Sequence, residues 1–143
     1  MNIRSFEVTD YPAVRKLWTR AGIDIGISDT PAELQRVTDL HPEFFLVGEE
    51  AGAIIATVIG TFDGRRAYVY HLAVDPDFQD EGLGTKLLEQ LTRAFRNHGI
   101  LRYHLMIEQD NTGVIDFYEK QGWYQQDLIV MTKDLYNPDE KES

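Results

Sequence analysis

Three apolar runs in the first half of the chain, residues 44–47, 53–62 and 67–74, stand so close together that only antiparallel pairing can join them. A parallel pair needs a crossover of about a dozen residues or more, whereas Asp63-Gly64 between the last two runs is a hairpin turn signal. The Ile, Val and Thr content of these runs supports strands. The remaining elements must therefore pack around an antiparallel meander.

Their periodicities complete the order. Residues 3–8 alternate weakly and predict a first strand. Thr9 or Asp10 caps a following helix, with Pro12 in its first turn and Gly22 at its end. Thr30-Pro31-Ala32-Glu33 opens a second helix that stops before His41-Pro42. Leu83, Leu87, Leu88, Leu91, Ala94 and Phe95 make one apolar helical stripe, ended by Asn97-His98-Gly99. A strand is predicted over 101–107, a helix over 111–121 capped by Asn111 and ended by Gly122, and a last strand over 128–132. The order β-α-α-β-β-β-α-β-α-β predicts an α/β mixed sheet with helices on its faces.

At 143 residues, with 43% hydrophobic and 27% charged residues, the chain fits one soluble domain, here expected over 1–136 with a polar flexible tail over 137–143. The absence of cysteine excludes disulfides, thiolate metal sites and a cysteine nucleophile, and fits a reducing, cytoplasmic location. No apolar leader and no bilayer-length apolar stretch is read, so no membrane association is expected. A net charge of -10 works against a nucleic-acid partner, because phosphates demand a basic face. The same charge attracts cations. His41, His98 and His104 show no metal-ligand spacing, so no metal is expected.

The chemistry concentrates where a strand gives way to a helix, in Val74-Asp75-Pro76-Asp77-Phe78-Gln79-Asp80-Glu81-Gly82-Leu83-Gly84-Thr85. Two glycines let the backbone approach a ligand, and free amides at a helix N-terminus bind phosphate. The run is neither a Walker loop, which needs Gly-Lys-Ser/Thr, nor a dinucleotide fingerprint, because Leu87 stands where the third glycine belongs.

Gln79-x-x-Gly82-x-Gly84 after Leu72-Ala73-Val74-Asp75-Pro76 resembles the acetyl-CoA signature of the GNAT-type N-acetyltransferases. Asn111-x-x-Val114-x-x-Phe117-Tyr118-x-x-x-Gly122-Trp123 is similar to that family's second conserved segment. The resemblance covers nearly the whole chain. It implies a mostly antiparallel sheet splayed between its fourth and fifth strands, with coenzyme A in the gap. It implies main-chain contacts from Leu72, Ala73 and Val74 to the acetyl and pantetheine part. It further implies amides of Gln79, Gly82, Leu83, Gly84 and Thr85 on the pyrophosphate, Asn111 on pantetheine, and Tyr118 as the acid that reprotonates the leaving thiolate. The implied reaction is direct acetyl transfer from acetyl-CoA to an amine of a small molecule or peptide; the alternative is a non-catalytic acyl-CoA-binding module on the same fold. Dimers are common in the family, which leaves a homodimer open.

Two features depart from the family pattern. Asp80 and Glu81 stand where relatives often carry basic residues or glycine. Met106 occupies the position of the acidic base in relatives that acetylate protein N-termini, which leaves Glu108 or a water chain for proton removal. Tyr68 and Tyr70 share one face of the fourth strand, toward the acceptor by resemblance, and strict alternation puts His71 on the other face.

Overall fold

The computed structural model describes residues 1–137, in two compact units, Met1–Leu105 and Met106 onward. The expected tail beyond Asn137 lies outside the described residues.

The first unit contains strands β1 (Asn2–Ser5), β2 (Phe45–Glu50), β3 (Ala53–Phe62), β4 (Ala67–Val74) and β5 (Tyr103–His104), with helices α1 (Tyr11–Arg20), α2 (Pro31–Leu40) and α3 (Leu83–Asn97). The five strands form one sheet in the order β1-β2-β3-β4-β5. The first four are antiparallel and β5 runs parallel to β4, so the mixed α/β expectation holds. No helix among the described residues is long and apolar enough to cross a membrane.

Local chemistry sets the boundaries. The first strand is shorter than its alternation predicts. The Glu7 N–H donates to the Asp10 carboxylate at 2.9 Å, and this reciprocal cap pulls Val8–Asp10 into a 3-10 turn before α1. At α2 the Thr30 hydroxyl accepts from the Glu33 N–H at 3.2 Å, as the Thr-Pro-x-Glu run predicts. The hairpin between β3 and β4 closes as expected, with Asp63 Oδ1 accepting from the Arg65 and Arg66 amides at 2.7 Å each.

Both faces of β3 are covered, which is why Ile55 to Gly60 is buried without a break. One face packs Ile59 with Val14, Leu17, Trp18, Leu34, Phe45 and Ala73. The other faces α3, and the approach is close. A Cβ on Gly60 would stand 2.6 Å from Leu91 Cδ1 and 2.9 Å from Phe95 Cζ, so only glycine lets the helix sit this near.

The second unit holds a 3-10 segment, Gln109–Val114, and helix α4 (Ile115–Glu119). The helix predicted over 111–121 is thus shorter. Asn111 does not cap it but lies inside the 3-10 segment at φ -116° and ψ 37°, outside helical geometry, a region that short polar residues tolerate. No strand forms over 128–132, which corrects that expectation. Ile129 and Met131 are 88% and 91% exposed. A strand exists only through a ladder partner, and none of the described residues of this unit forms another strand.

Candidate functional site

The pairing of β4 changes along its length. On one side it follows β3, but the register slips: Thr57 faces Ala73 while Ile59 faces Tyr70. β4 therefore carries one extra residue, a bulge at His71 and Leu72, and His71 takes the left-handed φ of 49°. On the other side β4 meets β5 only at Ala67↔Tyr103 and Tyr68↔His104. From Val69 to Val74 that edge has no ladder partner among the described residues, which is the splay between the fourth and fifth strands.

The bulge decides what the open edge offers. Ladder bonds alternate along an antiparallel strand. The Asp75 N–H donates to Ile55 at 2.7 Å, so the intervening residue Val74, opposite Ala56, turns its own N–H and C=O away from β3. The Val74 carbonyl accepts from the Gln79 side-chain amide at 3.2 Å. Leu72 sits in the bulge half-buried, and Ala73 is buried against the α1 side.

The turn after β4 is tied down at its start. Asp75 accepts from the Asp77 N–H at 2.9 Å, and Arg20 of α1 reaches both Asp75, at 3.0 Å, and Asp77, at 3.3 Å. That amide and the Arg20 guanidinium hold the Asp75 carboxyl below its usual range. Asp80 then takes φ 67° and Gly82, the N-cap of α3, φ 76°. Glycine is required for the second of these without strain, and it brings no capping side chain. The first intrahelical bond runs from Lys86 N–H to the Gly82 carbonyl at 3.1 Å. The amides of Leu83, Gly84 and Thr85 precede it and have no acceptor among the described residues. The Leu83 side chain is 7% exposed and anchors this first turn in the core. Three unbonded amides at the positive end of a 15-residue helix form an anion cradle. Asp80 and Glu81 are exposed at its rim.

A groove of about 480 Å³ lies elsewhere, beside α1. Among its charged residues Arg4 pairs with Asp10 and Glu49 and Arg20 with Asp75 and Asp77, Lys16 also lines it, and none of the residues from Gln79 to Thr85 does.

In the second unit, Tyr118 of α4 packs its ring edge-on against Phe117 at 5.1 Å and Trp123 at 5.5 Å. Its carbonyl accepts from the Gln121 and Trp123 amides at 2.9 and 3.2 Å, across a turn where Gly122 adopts φ 92°. The spacing Tyr118-x-x-x-Gly122-Trp123 is thus a helix stop that folds the aromatic back onto the tyrosine. Glu108 is the cap residue before the 3-10 segment.

Residues 11–123 match the model of the Acetyltransferase (GNAT) family. The chain belongs to the GNAT acetyltransferase family. The match runs across both compact units. Acetyltransferases of Yersinia enterocolitica and Pectobacterium atrosepticum are 35% and 36% identical to it over 94% of this chain and 96% of their own. Among solved structures it resembles Ard1 from Thermoplasma volcanium, at TM-score 0.74 and 27% identity over 85% of this chain and 80% of that one. The ribosomal-protein-S18-alanine N-acetyltransferase of Escherichia coli gives TM-score 0.69 and 28% identity over 85% and 76%. The PaiA N-acetyltransferase from Thermoplasma acidophilum, solved with coenzyme A, shares the fold at TM-score 0.76 and 19% identity over 90% and 92%.

In this acetyltransferase the fold also joins residues that spacing did not connect. Tyr68 and Tyr70 do share a face, with rings 6.0 Å apart, and Tyr70 lies opposite Ile59 on the α1 side of the sheet. His71 does not fall on the opposite face. The extra residue of the bulge breaks the two-residue alternation, and its ring packs against Trp18 of α1 at 4.7 Å. His71 Nε2 also lies 3.0 and 3.1 Å from the two carboxylate oxygens of Asp29, a residue that is 5% exposed. Asp29 accepts the Gly26 N–H at 2.8 Å as well. The Trp18 indole N–H donates to Thr57 Oγ1 at 2.9 Å, and that hydroxyl donates to the His71 carbonyl at 3.2 Å. A buried polar chain from α1 and the 23–30 loop therefore holds the bulge. The one sequence signal that could have pointed to it is the hydroxyl of Thr57 in the middle of an apolar strand run.

Burial works to raise the Asp29 carboxyl, but the His71 hydrogen bond, the Gly26 amide and the His71 charge together hold it below the ordinary aspartate range. A carboxyl depressed on folding adds stability above its unfolded value of about 3.9 and loses it as pH falls through the folded value. The gap in melting temperature between the protein and its Asp29→Asn variant is therefore expected to be widest at neutral pH and to shrink below about pH 4. A gap independent of pH would show that the carboxylate charge is not what the bulge uses.

Proposed function

We propose that this acetyltransferase takes the acetyl group of acetyl-CoA and passes it directly to an amine of a small molecule or peptide. The observation that carries the reading is the run of unbonded amides at the start of α3, directly after the open edge of β4. In this reading the amides of Gln79, Gly82, Leu83, Gly84 and Thr85 hold the pyrophosphate. The main chain of Leu72, Ala73 and Val74 meets the pantetheine and acetyl end, and the outward Val74 N–H stabilises the oxyanion of the tetrahedral intermediate. Asn111 binds pantetheine and Tyr118 returns a proton to the leaving thiolate.

Direct transfer needs a free amine. A primary amine of pKa ~10.4 is charged at neutral pH, and freeing its lone pair costs about 4–5 kcal/mol. Glu108 or a water chain removes that proton. The ribosomal-protein-S18-alanine N-acetyltransferase, at 28% identity, supports a peptide amine as acceptor. Met106, standing in place of the acidic base, argues for a different proton route from that of N-terminal acetylators, and the net charge of -10 favours a cationic acceptor. A non-catalytic module on the same fold is disfavoured by relatives named acetyltransferases over nearly the whole chain.

The test is thiol release from acetyl-CoA with a panel of peptide N-termini, polyamines and aminoglycosides, beside a thermal shift with coenzyme A. Turnover with at least one amine is expected, and about 2.7 kcal/mol of added stability at 100 times the dissociation constant. A thermal shift without turnover on any amine would favour the non-catalytic module; no shift at all would remove the cofactor site. Within that reading, Asp80 and Glu81 oppose the anionic cofactor. The double variant Asp80→Arg/Glu81→Lys is expected to tighten coenzyme A binding by about three- to tenfold at low salt. Unchanged affinity by calorimetry would mean that both carboxylates are fully solvated away from the phosphates.

A further inference from the structure

We infer that His41, Glu43 and His98 form a binding site for a divalent transition cation of the zinc type, at the end of α3 opposite the phosphate cradle. Their ligand atoms all lie within 4.8 Å of one another. Glu43 Oε1 stands 3.3 Å from His41 Nδ1 and 3.0 Å from His98 Nε2. Donors at zinc's usual bond lengths of about 2.0–2.1 Å, arranged tetrahedrally, are about 3.3 Å apart. Both Glu43 separations already match that spacing, and the two imidazole nitrogens, no more than 4.8 Å apart, have at most about 1.5 Å to close to share one ion.

The surroundings favour a cation there. His41 is the C-cap of α2 and His98 the C-cap of α3, so two helices turn their partially negative ends toward the cluster. The His41 N–H donates to the Val37 carbonyl at 3.2 Å and the His98 N–H to the Phe95 carbonyl at 3.0 Å, which fixes both backbones. Phe44, fully buried, stacks on His41 at 4.6 Å and meets His98 edge-on at 5.1 Å. Both imidazoles are thus packed in place before any ion arrives, with planes 85° apart and centroids separated by 5.6 Å.

The donor set selects the metal class. Two imidazole nitrogens and one carboxylate suit zinc and its neighbours, whereas magnesium and calcium ask for oxygen ligands throughout. Three protein ligands leave a fourth position for water. An α-helix rises about 1.5 Å per residue, so the 15 residues of α3 put roughly 20 Å between this cluster and the amides at Leu83–Thr85. At that distance the ion staples the end of α2 to the end of α3 and takes no part in acetyl transfer.

Sequence spacing hides this site, because positions 41 and 98 are brought together only where Phe44, in the turn after α2, packs on Phe95 and His98 at the end of α3. The test is calorimetric titration of metal-free protein with zinc chloride, with cobalt as a visible-absorption probe of coordination. A 1:1 isotherm, a raised melting temperature and four-coordinate cobalt bands are expected. His98→Ala and Glu43→Gln are each expected to weaken zinc by at least tenfold, and His104→Ala to leave it unchanged. Circular dichroism of the two partly exposed variants checks that they stay folded. Absence of a 1:1 isotherm, or an affinity that survives both His98→Ala and Glu43→Gln, would mean that Glu43 merely bridges two imidazoles by hydrogen bonds. Zinc affinity is read without acetyl-CoA, so this result stands apart from the fate of the acetyl-transfer reading.

Discussion

Replacing Tyr118 by phenylalanine is expected to lower kcat for acetyl transfer by about 100-fold or more, with the KM for acetyl-CoA changed only a few-fold. The reason lies in what the substitution leaves intact. Phenylalanine keeps the edge contacts to Phe117 and Trp123, and the main-chain bonds from Gln121 and Trp123 do not involve the side chain. The hydroxyl is the group removed. A loss of 100-fold corresponds to about 2.7 kcal/mol of transition-state stabilisation, within the range of one positioned acid. The measurement is steady-state thiol release with the best amine from the panel. A kcat within threefold of the parent would take the acid role away from Tyr118 and make it a packing residue of α4.

The largest loss of stability is expected at Trp18. The side chain is fully buried, packs in the α1-side core, touches the His71 ring and donates to Thr57. Trp18→Ala removes a large buried surface and leaves a cavity, at a cost of about 3–5 kcal/mol. Domains of this size are stable by about 5–15 kcal/mol in total, so the variant is expected to approach the edge of folding. Trp18→Phe separates the two contributions. It keeps an aromatic ring but loses the N–H to Thr57, and a loss of about 1–2 kcal/mol is expected. Urea melts of both variants check this. An alanine variant costing less than about 1 kcal/mol would show that the tryptophan does not hold the bulge side of the sheet.

Elements with strong local chemistry were legible before the fold was known. The β2–β4 meander, the capped start of α2 and the apolar stripe of α3 all stand where periodicity and turn residues put them. So does the glycine-bearing turn from Gln79 to Thr85, because its amides are freed by local backbone geometry at Gly82. Elements that depend on a partner were misread. The run 128–132 has strand composition but no ladder, and β5 shrinks from seven expected residues to Tyr103–His104 because β4 pairs with it over only two positions. Asn111 reads as a helix cap and instead bends a 3-10 segment.

The sequence by itself determined the family, the order of elements up to α4 and the glycine-bearing turn before α3, since these rest on motifs and contacts between residues a few positions apart. Only the tertiary structure decided which way His71 points, that Asp29 meets it, and that His41, Glu43 and His98 converge. A single inserted residue in β4 reverses side-chain parity, and helix ends distant along the chain meet only when both pack on the same sheet. Neither effect leaves a periodic trace, because both arise from contacts between segments far apart in sequence.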